Sequence, residues 1–301
     1  MAVSLKNCLV VGISSRALFD LDEENEIFEQ QGLEAYSAYQ LEHEQDILKP
    51  GSGFALVKAL LRLNEISEHR RVEILIMSRN SADTSLRIFT SIAHYGLDIS
   101  RAVLSGGASL AAYLEAFGVD LFLSANEQDV ENAINSGFAA GRIYTNTIAG
   151  FDPNKEIEQI RIAFDGDAVL FSDESEKIFQ TQGLEAFVEN EKRKANRLLP
   201  EGPFARFLKT ISDLQKEFDP MDSPIRTALV TARNAPAHER VIRTLRSWDV
   251  RIDEAFFLGG ITKKNVLKAF DPHIFFDDQS AHASPASEVV PSAQVPYISK
   301  K

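Results

Sequence analysis

The chain repeats itself along its whole length, and this constrains its fold more than any other feature. Residues 14–36, SSRALFDLDEENEIFEQQGLEAY, align without a gap on residues 165–187, DGDAVLFSDESEKIFQTQGLEAF, at an offset of 151. The string QGLEA stands at Gln31–Ala35 and again at Gln182–Ala186. Further matches follow with small shifts. KPGSGFALVKALLRLNE (49–65) pairs with LPEGPFARFLKTISDLQ (199–215), IMSRN (76–80) with VTARN (230–234), and DLFLSAN (120–126) with HIFFDDQ (273–279). A period of half the chain predicts two similar units, 1–150 and 151–301. AGFDPNKEIEQ (149–159), with its Gly, Pro and charges, suits a linker between them.

Each unit alternates short β-rich runs with helical periodicity. In the first, strands are expected at Leu9–Ile13, Val72–Met77, Ala102–Leu104, Asp120–Leu123 and Arg142–Tyr144. In the second they are expected at Ile160–Phe164, Thr227–Val230, Ala255–Leu258, His273–Phe276 and Val295–Ile298. The apolar positions Phe204, Phe207, Leu208, Ile211 and Leu214 recur at helical spacing, and His238–Trp248 also reads as helix. Such alternation predicts an α/β fold, a parallel Rossmann-like sheet flanked by helices. Ligands of such sheets sit beyond the carboxyl ends of the strands.

Composition narrows the function. The net charge of −12 argues against nucleic-acid polymers and anionic membranes as partners, since both call for basic surface. Cys8 is the single cysteine, so no intrachain disulfide can form and a reducing compartment is the natural reading. No apolar run reaches the length of a membrane span, and Cys8–Ile13 is too short for a signal core. A cytoplasmic location is expected.

The chemistry-bearing residues stand at the predicted strand ends of the second unit. Asp165-Gly166-Asp167 follows the first strand, Thr231 the second, Lys263 the third and Asp277-Asp278 the fourth. Phosphoryl transfer uses that set. Asp165 can attack phosphorus and form a covalent intermediate. Magnesium (Mg2+) prefers oxygen ligands, and Asp165, Asp167, Asp277 and Asp278 are the candidate metal set. Asp167 can protonate the leaving oxygen and then deprotonate the attacking water. Crowding among the acids predicts a protonated Asp167 at the start. Thr231 can hydrogen-bond a phosphoryl oxygen, and Lys263 can neutralise transition-state charge. Ala232 and Arg233, just past the Thr231 strand end, are candidate substrate contacts, and Arg233 can equally pair with an acid.

This ordered set resembles the haloacid-dehalogenase superfamily, whose motifs are DxD, a Thr or Ser, a Lys and a terminal acidic pair. More closely, IAFDGDAVLFSDESE (162–176), IRTALVTAR (225–233), TLRSWDVRIDEAFFLGG (244–260), PHIFFDDQ (272–279), SSRALFDLDEE (14–24) and YQLEHE (39–44) are similar to the cytosolic 5'-nucleotidase I family. The resemblance implies magnesium-dependent hydrolysis of nucleoside 5'-monophosphates, AMP above all, in the cytoplasm. It places the nucleophile on Asp165, the acid–base on Asp167, the phosphate-binding Thr on Thr231, the lysine on Lys263 rather than Lys264, and the metal acids on Asp277 and Asp278. Alternatives are a phosphatase of another small phosphomonoester, such as a sugar phosphate, or a non-catalytic nucleotide-binding protein. A homo-oligomer is compatible with either.

In the first unit every catalytic position is replaced. Ser14 stands opposite Asp165, Arg16 opposite Asp167, Met77 opposite Thr231, Leu110 opposite Lys263 and Ser124 opposite Asp277. That unit is expected to be a catalytically dead copy. Ser14, Arg16 and Arg79 still crown its strands, so the copy is expected to help bind substrate through them or to form an oligomer interface, with the strand ends of the two units facing each other. The Glu191–Lys194 run reads as a solvated charged face. Phe179 and Phe187, at helical spacing, read as core, and His273, ahead of a buried strand, as structural.

Overall fold

A computed structural model describes residues 5, 8–145, 152 and 155–297, so part of the expected linker (149–151, 153 and 154) and the end of the last expected strand, Ile298, lie outside the described residues. In the first half come β1 (Leu9–Ile13), α1 (Ser15–Leu18), α2 (Asp22–Glu42), α3 (Phe54–Glu65), β2 (Val72–Ser78), α4 (Leu86–His94), β3 (Arg101–Leu104), α5 (Ala111–Phe117), β4 (Leu121–Ser124), α6 (Glu127–Asn135) and β5 (Ala139–Ile143). In the second come β6 (Ile160–Phe164), α7 (Glu174–Arg193), α8 (Ala205–Gln215), β7 (Ile225–Thr231), α9 (His238–Ser247), β8 (Glu254–Phe257), α10 (Lys263–Phe270), β9 (Ile274–Asp277), α11 (Ser280–Ser287) and β10 (Ser292–Gln294). The last strand begins three residues earlier than expected, at the small, polar Ser292-Ala293-Gln294.

These strands form one sheet of ten, ordered β3-β2-β1-β4-β5-β10-β9-β6-β7-β8. Central strands such as β1 and β2 are buried along their whole length, which explains their near-continuous apolar sequence. The exception in β2, Glu73, is fully buried and paired with Arg70 and Arg101. Pairing is parallel throughout except at one seam, where β5 meets β10 antiparallel, Arg142 opposite Gln294.

The seam reverses strand direction between the halves. The carboxyl ends of β1 and β2 therefore lie at one edge of the sheet, and those of β6, β7 and β9 at the other. The facing crevices expected from the repeat are not formed. The halves share a core instead: Ile13, Leu56 and Leu60 belong to the same apolar cluster as Phe164, Phe207 and Ile211. Arg71–Glu217 (2.6 Å) and Arg206–Asp120 (3.6 Å) cross between them.

Local geometry repeats closely. Both QGLEA strings break a helix at glycine: Gly32 in α2 has φ 84°, ψ −176°, and Gly183 in α7 has φ 83°, ψ −179°. That region is open to little but glycine. The strand register also corrects one sequence pairing. Ile13 lies beside Ile76 in β2, and its counterpart Phe164 beside Leu229 in β7, so Ser78, not Met77, occupies the place of Thr231. The local hydrogen bonds agree: Asn80 N donates to Ser78 Oγ as Arg233 N donates to Thr231 Oγ1.

Candidate active site

The end of β6 positions Asp165. Asp165 N donates to Phe276 O of β9, which holds Asp165 beside Asp277 at the end of that strand. Both carboxylates are buried. Gly166 follows because a Cβ there would sit 3.3 Å from Thr231 Oγ1, a tight contact at the point where β7 ends. Arg233 N occupies one acceptor site of the Thr231 hydroxyl, at 3.3 Å, so that hydroxyl remains able to donate.

Lys263, at the start of α10, is buried and donates to Asp165 Oδ1 at 2.6 Å and Asp277 Oδ2 at 2.7 Å. Its neighbour Lys264 points away to Glu288 on the surface. Ligand atoms of Asp165, Asp277 and Asp278 all lie within 4.8 Å of one another. Burial pushes the Asp165 carboxyl up to about 7, against the pull of Lys263 and with a further push from Asp277. Burial pushes Asp278 up to about 9, and the charges of Asp165 and Asp277 add to it. Burial would also raise Asp277, but Lys263 and His282 hold it below the usual range. Three acids thus crowd one ammonium, and Asp278 Oδ1 is buried without a hydrogen-bond partner. An oxygen-rich set short of positive charge fits a hard divalent cation.

Asp167 lies elsewhere. Its carboxylate is not part of the three-acid cluster. It accepts from Arg233 Nε and Nη2, each at 2.7 Å, on its two oxygens. The Arg233 guanidinium holds the Asp167 carboxylate at the crevice wall. Arg233 is therefore engaged with an acid and not free for substrate in this state, while Ala232 beside it is exposed.

Sequence reasoning missed what lies behind Arg233. Glu191, in a run whose sequence suits a solvated face, is 1% exposed. It accepts from Arg233 Nη1 at 2.6 Å and Arg240 Nη1 at 3.0 Å, and from Ser175 Oγ at 2.9 Å. Burial alone would raise Glu191, but the two arginines hold it below the ordinary range. The repeat carried a signal for this residue, since Glu191 aligns with Gln40 and Ser175 with Glu24, an exchange of the acid between two helix positions. Phe179 is 45% exposed rather than core, and packs edge-on to Phe187 at 6.3 Å, with the Arg233 guanidinium over the Phe187 ring. His273 is structural as expected, its Nδ1 accepting from Arg161 N.

The first-half residues do not join this site. Ser14 caps α1, accepting from Ala17 N. Arg16 pairs with Asp22 at 2.8 Å and Arg79 with Asp129 at 2.6 Å. All three stand at the strand ends of the opposite sheet edge.

A family model described as 5'-nucleotidase matches residues 1–301. Cytosolic 5'-nucleotidase 1B from Homo sapiens is 40% identical over 299 residues, which is 94% of this chain and 48% of that protein. The chain thus spans about half the length of this relative. Among solved structures, histidinol dehydrogenase from Elizabethkingia anophelis aligns with a TM-score of 0.22 at 9% identity, over 80% of this chain and 48% of that one; so low a score carries no argument.

Proposed function

The chain belongs to the 5'-nucleotidase family, and from that premise we propose that it hydrolyses nucleoside 5'-monophosphates, AMP foremost, through an aspartyl-phosphate at Asp165. The observation that carries the reading is the convergence of Asp165, Lys263, Asp277 and Asp278 at one edge of the sheet, beside Thr231. The architecture is read as a haloacid-dehalogenase-type sheet in tandem, with a degenerate first copy; the matching strand orders of the two halves support this. A cytoplasmic location fits the relative's name and the absence, among the described residues, of any helix long and apolar enough to cross a membrane.

Asp165, Asp277 and Asp278 would hold magnesium, which when bound offsets the acids and the phosphoryl charge. An Asp165 oxygen forms a bond to phosphorus while the bond to the nucleoside 5'-oxygen breaks. That oxygen leaves with the electron pair and takes a proton from Asp167. Lys263 and the Thr231 hydroxyl steady the transferring group. Water then attacks the phosphorus of the acyl phosphate and gives a proton to Asp167. Inorganic phosphate departs, and the Asp165 carboxylate is restored. α7, which touches the crevice wall through Glu176, Phe187 and Glu191, acts as a small helical cap.

The test is phosphate release from 5'-nucleotides, 3'-nucleotides and sugar phosphates, with magnesium and with EDTA, beside Asp165→Asn. Release confined to 5'-nucleotides, lost with EDTA and in the variant, is expected. Release mainly from sugar phosphates would keep the mechanism and overturn the substrate.

A further inference from the structure

The repeat supplies an internal control for the charges behind the crevice. In the second half two buried arginines share Glu191: Arg240 from α9, and Arg233, which also grips Asp167. In the first half the counterpart of Arg240 is Arg87, which is also buried and paired with an acid, Glu24, at 2.5 Å. That acid sits at the place of Ser175, and the place of Glu191 is taken by Gln40, which donates to Tyr36. Asn80 replaces Arg233 and bonds the same Tyr36, while Arg16 replaces Asp167. The arginine–acid pair that braces the fold is thus kept in both halves. The link from acid to arginine to Asp167 survives only where Asp165 survives.

We propose that Glu191 is a positioning residue for phosphoryl transfer: it anchors Arg233, which holds the Asp167 carboxylate out of the three-acid cluster as the proton carrier. This rests on the proposed phosphatase reading. A carboxylate that coordinates a metal gives up its proton, so a fourth acid next to Asp165, Asp277 and Asp278 must be kept from joining them if it is to serve the leaving oxygen. A guanidinium suits the task, because its planar fork can hold Asp167 on one edge and Glu191 on another. All three bonds are 2.6–2.7 Å long, and Arg233 is 3% exposed.

Glu191→Gln alone takes from Arg240 its nearest acid and from Arg233 one of its two, and is expected to destabilise the fold. The informative variant is Ser175→Glu with Glu191→Gln, which rebuilds the first half's arrangement: Arg240 regains an acid, and Arg233 loses its anchor. Three readouts apply: thermal midpoint without metal, magnesium affinity of the metal-free protein by calorimetry, and kcat/KM for AMP and for its bridging 5'-phosphorothiolate, whose thiolate leaves without a proton. The expected result is a wild-type midpoint, tighter magnesium binding as Asp167 joins the cluster, and a fall in kcat/KM of about 100-fold for AMP but under about 5-fold for the thiolate-leaving analogue. Arg233→Lys, which keeps the charge but cannot span both carboxylates, should show the same split. Wild-type AMP turnover in the double variant, or equal losses on both substrates, would overturn the positioning role while leaving the phosphatase reading intact. If the wild-type protein with magnesium released phosphate from neither substrate, the phosphatase reading would fail and the positioning role with it.

Discussion

Lys263 Nζ stands 2.6 Å from Asp165 Oδ1, and the same ammonium reaches Asp277 Oδ2 at 2.7 Å, so one buried cation ties the proposed nucleophile to an acid on a different strand. Removing it leaves two buried acids without their partner. Lys263→Met is expected to abolish turnover and to cost the metal-free protein about 3 kcal/mol. Thermal melts with and without magnesium check this: the metal should recover part of the loss. A metal-free variant as stable as wild type would refute the expectation.

The metal-free site should also make stability depend on pH. Asp165 and Asp278 are raised to about 7 and about 9, so the folded chain holds these protons more tightly than the unfolded chain does. Their contribution is complete below the ordinary carboxylate range, near pH 4, and is lost as pH rises through 7 and 9. The midpoint without metal should therefore fall between pH 5 and pH 9. Magnesium should flatten that slope and release protons on binding at pH 7, visible as a buffer-dependent heat in calorimetry. Asp278→Asn should flatten the slope without metal, and an unchanged slope in that variant would count against the assignment.

Arg16, a substrate candidate on sequence, stands apart from the Asp165 crevice in the structure. It lies at the opposite sheet edge, in a part-exposed pair with Asp22. Arg16→Ala is expected to leave kcat and KM for every substrate unchanged and to cost no more than about 1 kcal/mol. A raised KM for nucleotides would show that the first-half crevice reaches the substrate after all.

Gly32 and Gly183 offer a matched pair. A Cβ at either meets nothing within 4 Å, so substitution there tests the backbone alone. Alanine at either position should cost about 1–3 kcal/mol. Only Gly183→Ala should also lower kcat, because α7 carries Glu191 on the far side of its kink. Equal kinetic effects of the two substitutions would separate α7 from the site.

The sequence by itself displayed the repeat and the residues on which the proposed chemistry rests. A repeat along the chain and two hydrophobic periods placed nearly every strand, because strand burial and helix faces are written locally in residue spacing. The same pattern put Asp165, Thr231, Lys263, Asp277 and Asp278 at strand ends, and parallel strands bring such ends together whatever the distance between them in the chain. Tertiary structure decided what no local pattern encodes. The antiparallel meeting of β5 and β10 rests on two short strands at the middle of the sheet, and it sent the strand ends of the two halves in opposite directions, so that Ser14, Arg16 and Arg79 stand apart from Asp165. Strand register, not alignment, set Ser78 in the place of Thr231. Glu191 reads as surface charge until Arg233 and Arg240, from distant parts of the chain, close over it. A buried carboxylate keeps its charge only where cations or donors compensate it, and their arrival is a property of the folded chain.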